Sequence, residues 1–214
     1  MTRSGNTWTG SWDTTLITDG DHTLSIDAKD TAGLTGENSV TIFVDNTNPT
    51  ANINSPIDGQ YVEGSYTFRV VATDTVGINH VDINIFGSNI TLPYNPITSS
   101  YEYTVTTSTK PDGEYTAYAR AYDNVNQSIQ SEIITFYIDN NDPSLGIVTP
   151  IDNEIIGGNY TIQATSSDTF LNSIVYRIDS TGWQNFSGSE PDWSVVYDTS
   201  ALTDGEHTLT VKSV

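Results

Sequence analysis

Hydrophobic and polar residues alternate in short runs along the whole chain, and these runs are rich in Val, Ile, Thr and Tyr. Turn sequences such as Asp-Gly, Pro-Asp-Gly and Asn-Asp-Pro separate the runs. A two-residue period with β-branched and aromatic residues predicts antiparallel strands. Because helical periodicity is nearly absent, the pattern predicts an all-β protein.

A repeat organises these predicted strands. The related strings LITDGDHTLSI, TKPDGEYTAYA and ALTDGEHTLTV begin at Leu16, Thr109 and Ala201. Their spacing gives a repeat of about 93 residues, which is too long for a solenoid unit and typical of one small domain.

Residues 49–142 form the only complete repeat. Its predicted strands are Ala51–Asn54, Tyr66–Ala72, His80–Phe86, a weak one near Ile90–Pro93, Tyr101–Thr106, Tyr115–Tyr122 and Ile133–Ile138. Seven short strands in such a segment predict an immunoglobulin-like sandwich. Residues 1–48 match only strands five to seven of the repeat, and residues 143–214 match it without its last strand. We therefore expect tandem immunoglobulin-like β-sandwiches arranged as an elongated rod.

The string DG-x-H-T-L-x-I-x-A-x-D-x-A-G starts at Asp19 and precedes a Val- and Thr-rich strand and the sequence VDNTNPT. With this combination the chain resembles the tandem Ig-like domains of bacterial and archaeal cell-surface proteins, of the adhesin or surface-layer type. The resemblance covers essentially the whole chain. It implies an extracellular rod on a cell surface, used as a stalk, an adhesin or a coat component.

The charge balance narrows the range of partners. The chain has 27 acidic and 7 basic residues, for a net charge of −20. Such a chain repels nucleic acid and anionic membranes, and no apolar run is long enough to span a bilayer. The start, MTRSGNTW, lacks the apolar run of a signal peptide, so we expect an internal piece of a longer array or export information elsewhere. The expected partners are neighbouring domains, copies of the same protein, or glycans and proteins of a cell surface.

No pattern of residues indicates an enzyme. His22, Tyr115 and His207 occupy one repeat position, and a catalytic His could not be replaced by Tyr there. That position predicts a packed aromatic side chain whose polar tip bonds the backbone, as in a tyrosine corner. The preceding Asp-Gly pairs, at Asp19 and Asp112 for example, predict turns in which Gly takes a positive φ and Asp bonds its own backbone.

The junctions VDNTNP and IDNNDP, at residues 44–49 and 138–143, carry the leading candidate site. Strands of a seven-stranded sandwich run alternately up and down, so strand one starts beside the loops after strands two, four and six. The residues that should gather are Asp45, Asn46, Asn48, Asp74 and Asp123 at the first junction, and Asp139, Asn141, Asp142 and Asp168 at the second. Such oxygen ligands suit calcium, and without a cation the carboxylates repel one another. The alternative is a polar linker whose acids cap turns.

Tryptophan and asparagine residues suggest further sites. Trp8 aligns with Trp193, and Trp12 with Tyr197, so we expect these side chains to fill the sandwich. Trp183 lies in the loop-like stretch STGWQNFSGS and is the candidate for carbohydrate contact. Glycosylation sequons begin at Asn89, Asn126, Asn159 and Asn185.

These observations together predict a spacer or stalk of an extracellular structural or adhesive protein, with junctions that calcium could stiffen. One alternative is a subunit of a head-to-tail fibre or surface layer, in which a strand from another chain fills the edge left by the missing last strand. The other alternative is a carbohydrate-binding module.

Overall fold

The computed structural model describes residues 1–214 and confirms the all-β fold. The strands in chain order are β1 (Thr2–Ser4), β2 (Thr7–Thr9), β3 (Gly20–Lys29), β4 (Thr35–Val44), β5 (Thr50–Ser55), β6 (Gln60–Val62), β7 (Ser65–Thr73), β8 (Ile78–Ile85), β9 (Ser88–Thr91), β10 (Tyr94–Asn95), β11 (Ser100–Thr106), β12 (Gly113–Asp123), β13 (Ser128–Gln130), β14 (Ile134–Ile138), β15 (Ser144–Thr149), β16 (Asn159–Ser167), β17 (Ile174–Ile178), β18 (Gln184–Asn185), β19 (Ser187–Ser189), β20 (Asp192–Asp198) and β21 (Leu209–Ser213). Three short 3₁₀ helices complete the fold: η1 (Thr14–Leu16), η2 (Thr107–Thr109) and η3 (Thr199–Ala201). None of the helices is long and apolar enough to cross a membrane.

The chain divides into two compact units, residues 1–106 with 114–137 and residues 107–113 with 138–214. In the first unit, the strands of the complete repeat form two sheets, in the orders β10-β11-β7-β5 and β6-β14-β12-β8-β9, with β13 paired to β12. All seven predicted strands of this repeat are present as β5, β7, β8, β9, β11, β12 and β14. The short strands β6, β10 and β13 were not predicted, because two or three residues are too few to show an alternating pattern.

Alternation along the strands builds the core of the first unit. On β8, Val81, Ile83 and Ile85 are fully buried, whereas the residues between them face outward. On β12, Ala117, Ala119 and Ala121 face inward between larger outward residues, and their small side chains leave room for the fully buried rings of Phe68 and Phe136. These two rings meet edge to face with centroids 5.2 Å apart.

The second unit has a core of its own. Its sheets have the orders β15-β16-β20-β19 and β18-β17-β21. Their facing side chains form a buried cluster of Ile162, Ala164, Ile174, Tyr176, Ile178 and Phe186. Trp193 and Tyr197 pack against this cluster, as the alignment of repeats predicted.

The prediction that Trp8 and Trp12 fill a sandwich is wrong for this chain. Trp8 is 61% exposed and Trp12 is 47% exposed. Residues 1–44 form only two-stranded sheets, β1-β2 and β3-β4, and Val44 is the only one of their apolar residues that is buried. The tryptophans therefore lack the packing that surrounds Trp193.

Candidate metal site at the first junction

Three carboxylates converge where the first junction meets two loops of the complete repeat. Asp45 follows β4, Asp74 follows β7, and Asp123 is the last residue of β12. One carboxylate oxygen from each lies within 4.8 Å of the others. The up-and-down order of the strands places these loops at one end of the sandwich, which is why residues so far apart in sequence meet.

The two oxygens of each loop carboxylate, in Asp74 and in Asp123, have different surroundings. Asp74 Oδ1 accepts hydrogen bonds from the amides of Val76 (2.8 Å) and Gly77 (2.9 Å), so it caps its loop. Asp123 Oδ1 accepts from the amides of Val125 and Gln127, both at 2.8 Å. The Oδ2 atom of each is buried and accepts no hydrogen bond. Turn capping therefore uses half of each carboxylate and leaves the other half available.

The site combines strong burial with like charge. Both Asp45 oxygens are buried without a hydrogen-bond partner, and the Asp123 side chain is fully buried. Burial raises the pKa of Asp45, and the charges of Asp74 and Asp123 raise it further. The ion pairs Arg69–Glu102 and His207–Asp179 lie elsewhere, and no basic side chain forms an ion pair with the cluster.

The two asparagines predicted for this site are placed differently. The Asn46 amide donates to the carbonyl oxygens of Thr14 (2.8 Å) and Ile17 (3.4 Å), and its Oδ1 accepts from the Thr14 hydroxyl (3.2 Å). Asn46 therefore holds the turn around η1, and its side chain is not directed to the carboxylates. Asn48 is exposed.

Gln127 is a member of the site that sequence reasoning missed. Its side-chain amide donates to the Asp45 carbonyl oxygen (3.0 Å), and its backbone amide donates to Asp123 Oδ1. Gln127 thus ties the junction backbone to the loop after β12. A glutamine four residues beyond an aspartate carries no recognisable signal in a single sequence.

The prediction for the Asp-Gly turns is confirmed for the glycines and wrong for Asp19 and Asp112. Gly20, Gly113 and Gly205 have φ values of +121°, +152° and +147°, as predicted for glycine in these turns. Asp19, however, accepts from the amide of Asn46 (2.7 Å), and Asp112 accepts from the amide of Asn140 (2.8 Å). The start of strand six lies beside the end of strand seven in an antiparallel pair, so these acids fasten the junction backbone rather than their own.

The candidate ligands of the second junction do not form an equivalent cluster. Asn141 donates to Asp112 Oδ2 (2.5 Å), and Asp142 is exposed. Asp168 Oδ1 accepts from the amide of Phe170 (2.8 Å). The only group of three or more potential metal-binding side chains is Asp45, Asp74 and Asp123, so Asp139 and Asp168 do not belong to such a group.

The repeat position that was predicted to hold a packed aromatic side chain makes structural contacts in all three repeats. The Nε2 atoms of His22 and His207 lie 2.7 Å from the carbonyl oxygens of Thr18 and Thr203, as expected for a tip that bonds the backbone. Tyr115, at the same repeat position, packs on Phe136 with centroids 5.9 Å apart.

The remaining candidate positions lie on the surface. Trp183 is 40% exposed, and its ring contacts the Arg177 guanidinium (4.7 Å) and the Lys212 ammonium (4.5 Å). The sequon asparagines are all exposed: Asn89, Asn126, Asn159 and Asn185.

The comparison with protein families identifies the repeats. The bacterial Ig domain family matches residues 49–119 and 143–211, and the chain belongs to this family. No curated protein matches the chain. The family match confirms the resemblance to tandem Ig-like domains that the sequence suggested.

The chain is also similar to several solved structures. The fibronectin(III)-like modules of Clostridium thermocellum CbhA are 17% identical, with 77% of this chain and 85% of that chain covered and a TM-score of 0.44. A tetra-tandem repeat from the extending region of a large adhesion protein is 22% identical, with coverages of 92% and 53% and a TM-score of 0.39. The D00-D0 domain of intimin is 16% identical, with coverages of 77% and 93% and a TM-score of 0.37. The chain thus spans about half of the adhesion-protein structure.

Proposed function

We propose that this chain is a segment of an extracellular adhesin-type stalk, with a structural and non-enzymatic role, and that calcium bound at the first junction stiffens it. Membership of the bacterial Ig domain family and the tandem β-sandwich repeats support the stalk. The cluster of Asp45, Asp74 and Asp123 carries the proposal of calcium.

The chemistry of the cluster favours a hard divalent cation. Four carboxylate oxygens are buried without donors: both oxygens of Asp45 and the Oδ2 atoms of Asp74 and Asp123. Calcium takes six to eight oxygen ligands, so backbone carbonyls or water would complete the set. The absence of cysteine and histidine from the cluster disfavours zinc and copper. Extracellular calcium modules bind with dissociation constants of about 10⁻⁴ to 10⁻³ M, and we expect this range.

The position of Asp45 links metal binding to a mechanical role. Asp45 belongs to the backbone that connects β4 to β5, whereas Asp74 and Asp123 belong to loops of the complete repeat. A cation held by all three would fasten the connecting segment to both loops. Bending at the junction would then require breaking metal–carboxylate contacts, which is how calcium would stiffen the stalk.

A thermal melt in saturating calcium and in excess EDTA tests this proposal. A ligand at a hundred times its dissociation constant stabilises by about 2.7 kcal/mol, which is several degrees or more for a domain of this size. Asp123→Asn should abolish the calcium-dependent shift. In EDTA the same variant should melt no lower than the native chain, because Asn retains the loop-capping oxygen and its amide can donate to the bare Asp45 oxygens.

Asp27→Asn is the matched control, because Asp27 is exposed on β3 and its replacement removes the same charge. The control should keep the full calcium shift. If the native chain melts at the same temperature with calcium and with EDTA, the cluster does not bind calcium, and Asp74 and Asp123 serve only to cap their turns.

A further inference from the structure

A shallow depression lies on the outer face of the sheet formed by β9, β8 and β12. Its volume is about 180 Å³, and its lining is Asp82, Asn84, Asn89, Tyr118, Arg120 and Tyr122. Five of these residues alternate with core residues along β8 and β12, and Asn89 is the register partner of Asn84 on β9, so all six side chains lie on the solvent side of the sheet.

Two opposite charges are held apart across this depression. Arg120 and Asp82 are directly paired in the strand register, yet they form no ion pair. Asp82 Oδ1 instead accepts from the Thr91 hydroxyl (2.6 Å), and Arg120 donates to Gln130 Oε1 (3.2 Å). The Asp82 carboxylate is thus bonded toward β9, and the Arg120 guanidinium is bonded toward β13. One carboxylate oxygen and several guanidinium N–H groups are left to face the depression.

Aromatic and amide groups complete the surface. Tyr118 and Tyr122 are four residues apart on β12 and lie on one face, and the His80 ring stacks on Tyr122 at 4.3 Å with an interplanar angle of 8°. The Asn84 amide donates to Asn89 Oδ1 (2.7 Å), which leaves Asn84 Oδ1 and the Asn89 amide for a ligand. Neither tyrosine hydroxyl is used in a hydrogen bond within the chain.

We propose that this face binds a neutral glycan. A sugar hydroxyl both donates and accepts, so neighbouring hydroxyls of one sugar unit can bridge the Asp82 carboxylate and the Arg120 guanidinium. The tyrosine rings offer flat apolar surface to the C–H face of the sugar. One acid and one base leave the depression without net charge, and the charge of −20 on the whole chain opposes polyanionic ligands.

The size of the depression predicts weak binding by each copy. Pockets that enclose drug-sized ligands have volumes of about 300–1,000 Å³, so this face would hold only one or two sugar units of a longer chain. No lining residue belongs to the carboxylate cluster of the junction, although Tyr122 directly precedes Asp123 on β12.

The test is an NMR titration of the full ¹⁵N-labelled chain with cellohexaose, mannohexaose and galactohexaose at millimolar concentrations. At least one of them should shift amide signals of β8, β9 and β12, and Tyr118→Ala should weaken that binding by about tenfold or more. Trp183→Ala is the matched control and should leave the binding unchanged.

Three results would overturn the proposal. The first is that none of the three oligosaccharides shifts these amides. The second is that the shifts map to the surroundings of Trp183 and disappear in Trp183→Ala. The third is that only an acidic polysaccharide such as alginate binds, with an affinity that falls steeply with salt. The same titration in EDTA separates this proposal from the calcium site, because glycan binding should persist there.

Discussion

Truncation of Phe136 to Ala should destabilise the core of the complete repeat and spare the core built by β15–β21. Phe136 is fully buried on β14, and its ring contacts those of Phe68 (5.2 Å), Tyr115 (5.9 Å) and Phe86 (6.2 Å). A buried Phe→Ala substitution costs about 3–5 kcal/mol, because it loses apolar transfer energy and leaves a cavity. The three ring partners place Phe136 toward the upper end of this range.

Native-state hydrogen exchange with mass spectrometry resolves this effect by segment. A loss of 3 kcal/mol corresponds to a fall in protection of more than a hundredfold, since 1.4 kcal/mol is a factor of about ten. Peptides from β7, β8 and β12 should show this fall, and peptides from β16 and β17 should keep their protection. The reciprocal variant is Phe186→Ala, which removes a side chain of the second core and should reverse the pattern.

An exposed phenylalanine on β4 provides the control for Phe136→Ala. Phe43→Ala makes the same chemical change at a side chain that is 61% exposed, and it should alter protection little in either core. If Phe136→Ala lowered protection equally in β8 and β17, the two cores would unfold as one unit. The assignment of separate domains to residues 49–142 and 143–214 would then fail.

Two titrations provide further predictions. Hydrogen bonds from Asn95, Thr98 and Arg69 lower the pKa of Glu102 to about 2, so its stabilising effect should be complete above the ordinary pKa of 4.5 and be lost as the pH falls toward 2. The Glu102 carboxyl signal should titrate accordingly, Arg69→Leu should raise the midpoint, and a native midpoint near 4.5 would contradict the geometry. The Thr203 carbonyl and Asp179 raise the pKa of His207 above 6.5, so its contribution is complete below that value and is lost as the pH rises through the folded pKa. Asp179→Asn should lower the pKa of His207, and a native value at or below 6.5 would show that the imidazolium is not held by both acceptors.

Much of the fold follows from the sequence because its signals are local and repeated. The two-residue period placed the seven main strands of the complete repeat, and the strand order alone brought Asp45, Asp74 and Asp123 to one end. The same topology could also have shown that Asp19 reaches Asn46, because Gly20 and Val44 are register partners in the β3-β4 pair.

Other features depend on side-chain geometry that a single sequence does not encode. Asn46 looks like an oxygen ligand in sequence, but its amide satisfies carbonyl groups around η1. The separation of Asp82 from Arg120 requires the exact register of β8 and β12 and the competing partners on each side. Trp8 and Trp12 occupy the repeat positions of core residues, yet no core surrounds them in this chain.

The central claim is that the first junction holds a calcium ion, and equilibrium dialysis against calcium tests it most directly. The native chain should bind one ion per chain at millimolar free calcium, with Asp27→Asn as the charge-matched control that still binds it. Asp45→Asn should bind none in this range, because it removes the one acid that joins the junction to both loops. A native chain without bound calcium, or an Asp45→Asn variant that binds as well as the native chain, would contradict the account.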